Sequence, residues 1–161
     1  MNYCYKMMTS PVGELKLVAT EHGLAAVLWE NDKPGRIPLK ELQLNEQLPL
    51  LLNAEQQLND YFAQKLKQFT LPLHMSGTEF QKKVWHALMT IPFGEKRTYA
   101  QIAKQIGHDK AVRAVGAANG KNPISIIVPC HRVIGSDGAL CGFAGGLDTK
   151  AYLLEMESLC P

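Results

Sequence analysis

Long apolar runs are missing from this sequence. No stretch approaches the roughly 18 apolar residues of a membrane helix, and the N-terminus Met-Asn-Tyr-Cys-Tyr-Lys lacks the basic-then-apolar order of a secretory signal. No membrane partner is expected, and a cytoplasmic address follows. Cysteine is scarce, and the four present, Cys4, Cys130, Cys141 and Cys160, show neither metal-like pair spacing nor a small-domain disulfide framework. Free thiols and no metal are the expectation. Also missing are a phosphate-binding G-x-x-x-x-G-K-[ST] run and a dinucleotide fingerprint behind a strand, so no nucleotide cofactor is expected.

Net charge is only +2, too small by itself to indicate a polyanionic partner, but the charges are unevenly placed. Residues 1–77 carry seven Lys/Arg against eight Asp/Glu, whereas residues 82–132 carry nine basic residues against Glu95 and Asp109, a surplus of seven. A polyanion would therefore meet the second half of the chain.

The sequence points to an α/β fold in two parts. Tyr3 to Met8, Glu14 to Thr20 and Leu24 to Glu30 are β-prone and separated by turn residues, which predicts an antiparallel meander. A polar stretch, 31–49, leads to a helix in which Leu51, Ala54, Leu58, Tyr61, Phe62 and Leu66 keep helical spacing and which covers one face of the sheet. The segment 70–77 has little periodicity, and the boundary is placed there: 1–77 as an N-terminal sheet-and-helix subdomain, 78–161 as a mainly helical one.

Thr78 with Gln81 and Thr98 with Gln101 have capping-box spacing and open two helices, the first with an apolar stripe of Phe80, Val84, Trp85, Leu88 and Met89. A turn at Gly107-His-Asp109, with Asp109 as cap, leads to a third helix from Lys110 to Asn119. Two short helices joined by a glycine-containing turn in a basic region suggest a helix-turn-helix, although such hairpins are also common structural parts. The third helix is nearly bare apart from Arg113. It suits close, sequence-tolerant approach to DNA with one projecting guanidinium, or simply tight helix packing.

Chemistry concentrates around Ile-Val-Pro-Cys-His-Arg-Val-Ile, 127–134. Pro129 delivers Cys130 at the start of a turn or short helix, where unpaired backbone N–H groups would favour the thiolate. Adjacent helical side chains diverge by about 100°, so a water is a better proton carrier between Cys130 and His131 than a direct contact. A carboxylate behind the imidazole would hold its tautomer, with Asp148, Glu155 and Glu157 as candidates. Downstream, 135–146 holds five glycines in twelve residues, either a loop closing over a planar group or a flexible connection.

In combination, Ile91-Pro-Phe-Gly94, Thr98-Tyr99, Arg113-Ala-Val-Gly116, Asn122-Pro123, Pro129-Cys-His-Arg-Val133 and Gly142-Phe-Ala-Gly-Gly-Leu147 resemble the O6-methylguanine-DNA methyltransferase family, particularly its small single-protein bacterial members. The resemblance spans the chain, loosely over 1–77 and densely over 78–161. It implies Cys130 as alkyl acceptor, His131 as water-mediated base, Glu157 as the carboxylate behind it and Tyr99 as hydrogen-bond donor to the guanine ring. It further implies DNA contacts from Thr98, Arg113, Ala114, Asn122 and Arg132, with Arg113 filling the space of an extruded nucleotide. Tyr99, Phe143, Ala144 and Gly145 would wall the base pocket, and a backbone N–H near Ala144 would face O6.

The implied activity is one irreversible transfer per molecule. An alkyl group leaves O6-alkylguanine, or O4-alkylthymine, in double-stranded DNA for Cys130, with a monomeric protein and no cofactor. Ser125 and Cys141 depart from commoner family usage at a proline and a hydroxyl position. A cysteine hydrolase is the enzymatic rival, disfavoured because adjacent Cys130 and His131 are poorly placed for direct contact. A non-catalytic lesion binder is the other, disfavoured by the presence of Cys130.

Overall fold

A computed structural model describes residues 2–140 and 142–159. Expectations for Cys141 and Cys160 therefore lie outside the described residues. The chain folds as two compact units, 1–76 and 77–161.

In the first unit, β1 (Tyr3–Ser10), β2 (Gly13–Thr20) and β3 (Gly23–Trp29) form the expected antiparallel meander. The polar stretch that follows contains an element the sequence did not suggest: β4 (Leu42–Leu44) runs parallel to β1 at the sheet edge, giving the order β3-β2-β1-β4. Along β2 the alternation is that of a strand covered on both faces. Leu15, Leu17 and Ala19 are buried on one side, while Val18 joins Ala25 and Ala26 on the other beneath Tyr3, Tyr5, Leu39 and Leu42. Helix α1 (Pro49–Phe62) packs on the sheet through Leu51, Ala54, Leu58 and Tyr61. It stops short of Leu66 because Gln64 takes a left-handed φ of 62°. Segment 70–74 lies along β3, with Leu24 N–H donating to Pro72 O and His74 N–H to Leu24 O, both at 2.8 Å. Gly23 permits this approach, since a Cβ there would meet Pro72 O at 2.9 Å.

The second unit opens with α2 (Glu79–Leu88), whose Thr78/Gln81 capping box is complete. It buries Val84, Trp85, Ala87 and Leu88. Met89, expected on the buried stripe, is the C-cap and is exposed, and Phe80 is only half-buried. Trp85 Nε1–H donates to Ala118 O at 2.8 Å and so fixes α2 against α4 (Val112–Gly120). Between them lie β5 (Arg97–Thr98) and α3 (Tyr99–Gln105), the latter opened by the Thr98/Gln101 capping box. Helix α4 starts two residues later than expected and Asp109 does not cap it. Ala111 N–H closes a turn onto His108 O, and Ala111 itself occupies the N-cap position without a side-chain bond. A single 3₁₀ turn at Cys130–Arg132 leads into β6 (Val133–Ile134), which pairs in parallel with β5, and α5 (Leu147–Leu159) follows. Among the described residues no helix is long and apolar enough to cross a membrane.

Candidate active site

Asn122 builds the segment that presents Cys130. Its amide is buried, accepts from Ile124 N–H at 3.0 Å and donates to Val128 O at 2.8 Å, clipping the loop at both ends. The chain then turns twice within six residues. Ile127 N–H donates to Ser125 O around Ile126, whose φ is +73°, and Cys130 N–H donates to Val128 O around Pro129, both at 2.8 Å. A positive φ at a β-branched residue is strained, and it survives because the buried amide clip determines the path of the chain. From α4, Asn119 Nδ2 reaches Cys130 O at 3.4 Å.

Asn122, named with the DNA-binding residues and matched to the family asparagine in the bend before the active site, is 1 % exposed, and both ends of its amide hold that bend. One expectation is corrected here. Unpaired N–H groups were expected to favour the thiolate. Cys130 N–H is instead bonded to Val128 O, and Arg132 N–H to Pro129 O, so two of the three donors in the turn are already used.

Next to Cys130 in the chain begins a buried charged cluster of His131, Arg132 and Glu157. His131 Nε2 is 2.7 Å from Glu157 Oε2. Arg132 forks onto the same carboxylate, Nε to Oε1 at 2.8 Å and Nη2 to Oε2 at 3.0 Å, and its Nη1 donates to Ile91 O at 2.7 Å. Gly94 N–H approaches Glu157 Oε1 at 3.4 Å. The Ile91-Pro-Phe-Gly94 segment thus wraps the pair, with Gly94 at φ +85° closing its turn. Arg132, expected at the DNA, points inward with its charge committed to Glu157. Among the three candidate carboxylates, Asp148 and Glu155 are exposed and Glu157 is buried against His131.

The electrostatics assign the protons. Burial pushes the Glu157 carboxyl up, but hydrogen bonds and charge from His131 and Arg132 outweigh it and hold its pKa at about 2. An ionised carboxylate only accepts, so His131 Nε2 carries the hydrogen. His131 is pulled below its ordinary value, first by burial and further by the charges of Arg132 and Lys150, against the opposing pull of Glu157. The imidazole is therefore neutral at pH 7. Its Nδ1 is buried, has no hydrogen-bond partner among the described residues, and is left as an acceptor.

A pH dependence follows. For both groups the unfolded state binds more protons than the folded one, His131 below pH 6.5 and Glu157 below its ordinary value of 4.5. Stability contributed by each is present above those values and lost as pH falls. Urea unfolding midpoints should decline in two stages on acidification, and His131→Phe should remove the one that begins below pH 6.5. An unchanged slope in that variant would assign the loss elsewhere.

Around this cluster stand residues named from sequence. Arg113 and Ala114 are exposed on α4, and Gly116 faces Tyr99, a Cβ there lying 4.0 Å from Tyr99 Cδ1. Thr98, half-buried, uses its hydroxyl oxygen to accept from Gln101 N–H. Phe143, Ala144 and Gly145 are half-buried in the loop before α5. Sequence reading missed Lys150. It is fully buried on α5, with its Nζ 5.9 Å from the ring centroids of both Tyr99 and Phe143. The available signal was position: seven residues before Glu157, two turns along the same helix face.

Comparison with known proteins agrees in both halves of the chain. Residues 3–75 match the family model described as 6-O-methylguanine DNA methyltransferase, ribonuclease-like domain, and residues 79–159 match 6-O-methylguanine DNA methyltransferase, DNA binding domain. A methylated-DNA–protein-cysteine methyltransferase of Methanosarcina acetivorans is 50 % identical over 157 residues, 97 % of this chain and 99 % of the relative. The solved O6-methylguanine methyltransferase of Mycobacterium tuberculosis superposes with a TM-score of 0.89 at 44 % identity, covering 99 % of this chain and 94 % of that one. The structure of the Mycobacterium tuberculosis protein in complex with DNA gives 0.88 at the same identity and coverage. With both family domains matched over nearly its whole length, the chain belongs to the 6-O-methylguanine DNA methyltransferase family.

Proposed function

We propose that this protein repairs duplex DNA by moving the alkyl group of O6-alkylguanine, and of O4-alkylthymine, onto Cys130 in one irreversible step. The observation that carries the reading is the buried His131–Glu157–Arg132 cluster that begins next to Cys130 in the chain, with His131 Nδ1 left as an acceptor. His131, through a water, takes the thiol proton. The sulfur lone pair attacks the saturated carbon, the C–S bond forms, and the C–O6 electron pair passes to the purine. Tyr99 donates a hydrogen bond to the ring as that charge develops, and the thiol proton is in effect exchanged for one on guanine. A thioether has no internal route back to the thiol, so each molecule acts once.

Cys130 is only 4 % exposed, and its target carbon is inaccessible in a stacked duplex, so the nucleotide must leave the stack to react. Tyr99, Phe143, Ala144 and Gly145 wall the pocket that receives it. Helices α3 and α4 act as the helix-turn-helix, with Thr98, Arg113 and Ala114 at the DNA and Arg113 occupying the vacated stack. Asn122 and Arg132 serve the same reaction from inside, as loop clip and carboxylate clamp. The protein acts as a monomer in the cytoplasm.

The test is a time course of label transfer from an alkylated duplex, followed by peptide mapping. One label per protein on the Cys130 peptide is expected, and an intact lesion or repeated turnover with an unmodified thiol would overturn the proposal. Arg113→Ala should slow transfer from duplex more than from the free modified base, because only the duplex requires extrusion. Equal slowing on both substrates would remove the extrusion role.

A further inference from the structure

Among the described residues of the second unit, two buried side-chain polar atoms have no hydrogen-bond partner, and both sit on side chains tied to the peptide that joins Cys130 to His131. One is His131 Nδ1. The other is Oδ1 of Asn119, on the last turn of α4 and 4 % exposed. Asn119 Nδ2 donates to Cys130 O at 3.4 Å. A carbonyl only accepts, so the NH₂ must face it and the amide oxygen is the atom left over. The backbone of Asn119 is held as well, its own carbonyl accepting from Asn122 N–H at 3.3 Å. Both leftover atoms are acceptors, since the ionised Glu157 keeps the His131 hydrogen on Nε2. Two buried acceptors cannot satisfy each other, and leaving both unpaired is costly. One water satisfies both. It brings two hydrogens, and a buried water makes about three hydrogen bonds, so its oxygen can still accept one more.

We infer that Asn119 is a positioning residue for the proton relay: Asn119 Oδ1 and His131 Nδ1 accept the two hydrogens of one water, which turns the lone pair of that water to the Cys130 thiol. The Sγ–H proton passes to the water oxygen as a water proton passes to His131 Nδ1. The water is restored, the imidazole becomes an imidazolium against Glu157, and sulfur keeps the electron pair. After the relay the water donates to the thiolate and still donates to Asn119, so the same amide oxygen holds it before and after. Without that acceptor the water keeps a single anchor and its orientation is no longer set. The charges that act on His131 are Glu157, Arg132 and Lys150. Exchanging Asn119 for another neutral residue leaves all three in place. The relay serves the proposed transfer reaction, and the inference rests on that reading.

The experiment follows alkylation of the Cys130 peptide by iodoacetamide against pH in full-length protein, which needs no DNA, beside single-turnover transfer from O6-methylguanine in duplex DNA. Asn119→Leu is close in size and removes the acceptor. Its pH–rate midpoint should move up by about one unit, with alkylation at pH 7 slower by about tenfold and alkylation above both midpoints as fast as in wild type. Transfer from methylguanine at pH 7 should fall by a similar factor. Asn119→Ser, which restores an accepting oxygen, should recover part of the shift. Asn119→Leu combined with His131→Phe should shift the midpoint no further than His131→Phe alone, as two groups on one water require. If the leucine variant does not fold, Asn119→Val against Asn119→Ser makes the same comparison of acceptor lost and acceptor kept. An unmoved midpoint overturns the inference, including the case of a rate lowered by one factor at every pH, where Asn119 would only hold the turn. Additive shifts in the double variant overturn it too. A wild-type protein that iodoacetamide alkylates at Cys130 but that accepts no methyl group overturns the transfer reading instead.

Discussion

Cys130→Ala protein should bind alkylated duplex as wild type does and leave every lesion intact. Intact-mass measurement after mixing with excess substrate separates the two. Wild type gains the mass of one methylene unit on the 130–132 turn, and the variant gains nothing at any sulfur. The reason is positional. Cys4, the other cysteine among the described residues, lies on β1 of the first unit, remote in sequence from the His131–Glu157 cluster. Removing one sulfur from a buried turn costs little stability, about 1 kcal/mol, because the turn is held by its backbone bonds and by Asn122 rather than by the thiol. The loss of function should therefore appear in well-folded protein whose melting temperature falls by only about 2–4 °C. Cys130→Ser should behave in the same way, since a hydroxyl neither ionises near neutrality nor matches sulfur at a saturated carbon.

How far the molecule could be read in advance depended on the range of the interaction. The capping boxes at Thr78 and Thr98 were legible because the signal and its partner are three residues apart. The meander was legible because alternation and turn residues are local too. β4 was not, since three residues become a strand only by pairing with Tyr3–Tyr5, nearly the whole sheet earlier in the chain. Charge misled in a systematic way. Arg132 counts towards a basic stretch, and nothing local reveals that Glu157 and Ile91 O will consume it. Helix α5 hides its purpose for a related reason. Its buried face carries Lys150 and Glu157 beside Leu153 and Met156, while Leu147, Tyr152 and Leu159 are exposed, so the apolar pattern that normally marks the inner face is blurred. Cys130, His131 and Tyr99 stood out through their motifs, whereas the charges that tune them were visible only once the chain was folded.

Glu157→Gln should damage stability and transfer together, and a double substitution should separate them. The carboxylate accepts from His131 Nε2 and from two nitrogens of Arg132, all in a buried setting. A glutamine has one accepting oxygen and must turn its NH₂ towards one of those donors, leaving a guanidinium buried without its counter-charge. Breaking one side of such a pair costs about 3–5 kcal/mol. The imidazole can answer an NH₂ donor by moving its hydrogen from Nε2 to Nδ1, but Nδ1 then no longer accepts the thiol proton, and transfer should slow by roughly a hundredfold or more, the scale of a lost general base. Replacing both partners, as Glu157→Leu with Arg132→Met, removes the unpaired charge along with the pair, so urea unfolding should show much of the lost stability restored. Single-turnover transfer should remain slow, because His131 still lacks the carboxylate that sets its tautomer. A double variant that transfers at the wild-type rate would reduce the cluster to a packing device, and the chemistry at Cys130 would then need another proton acceptor.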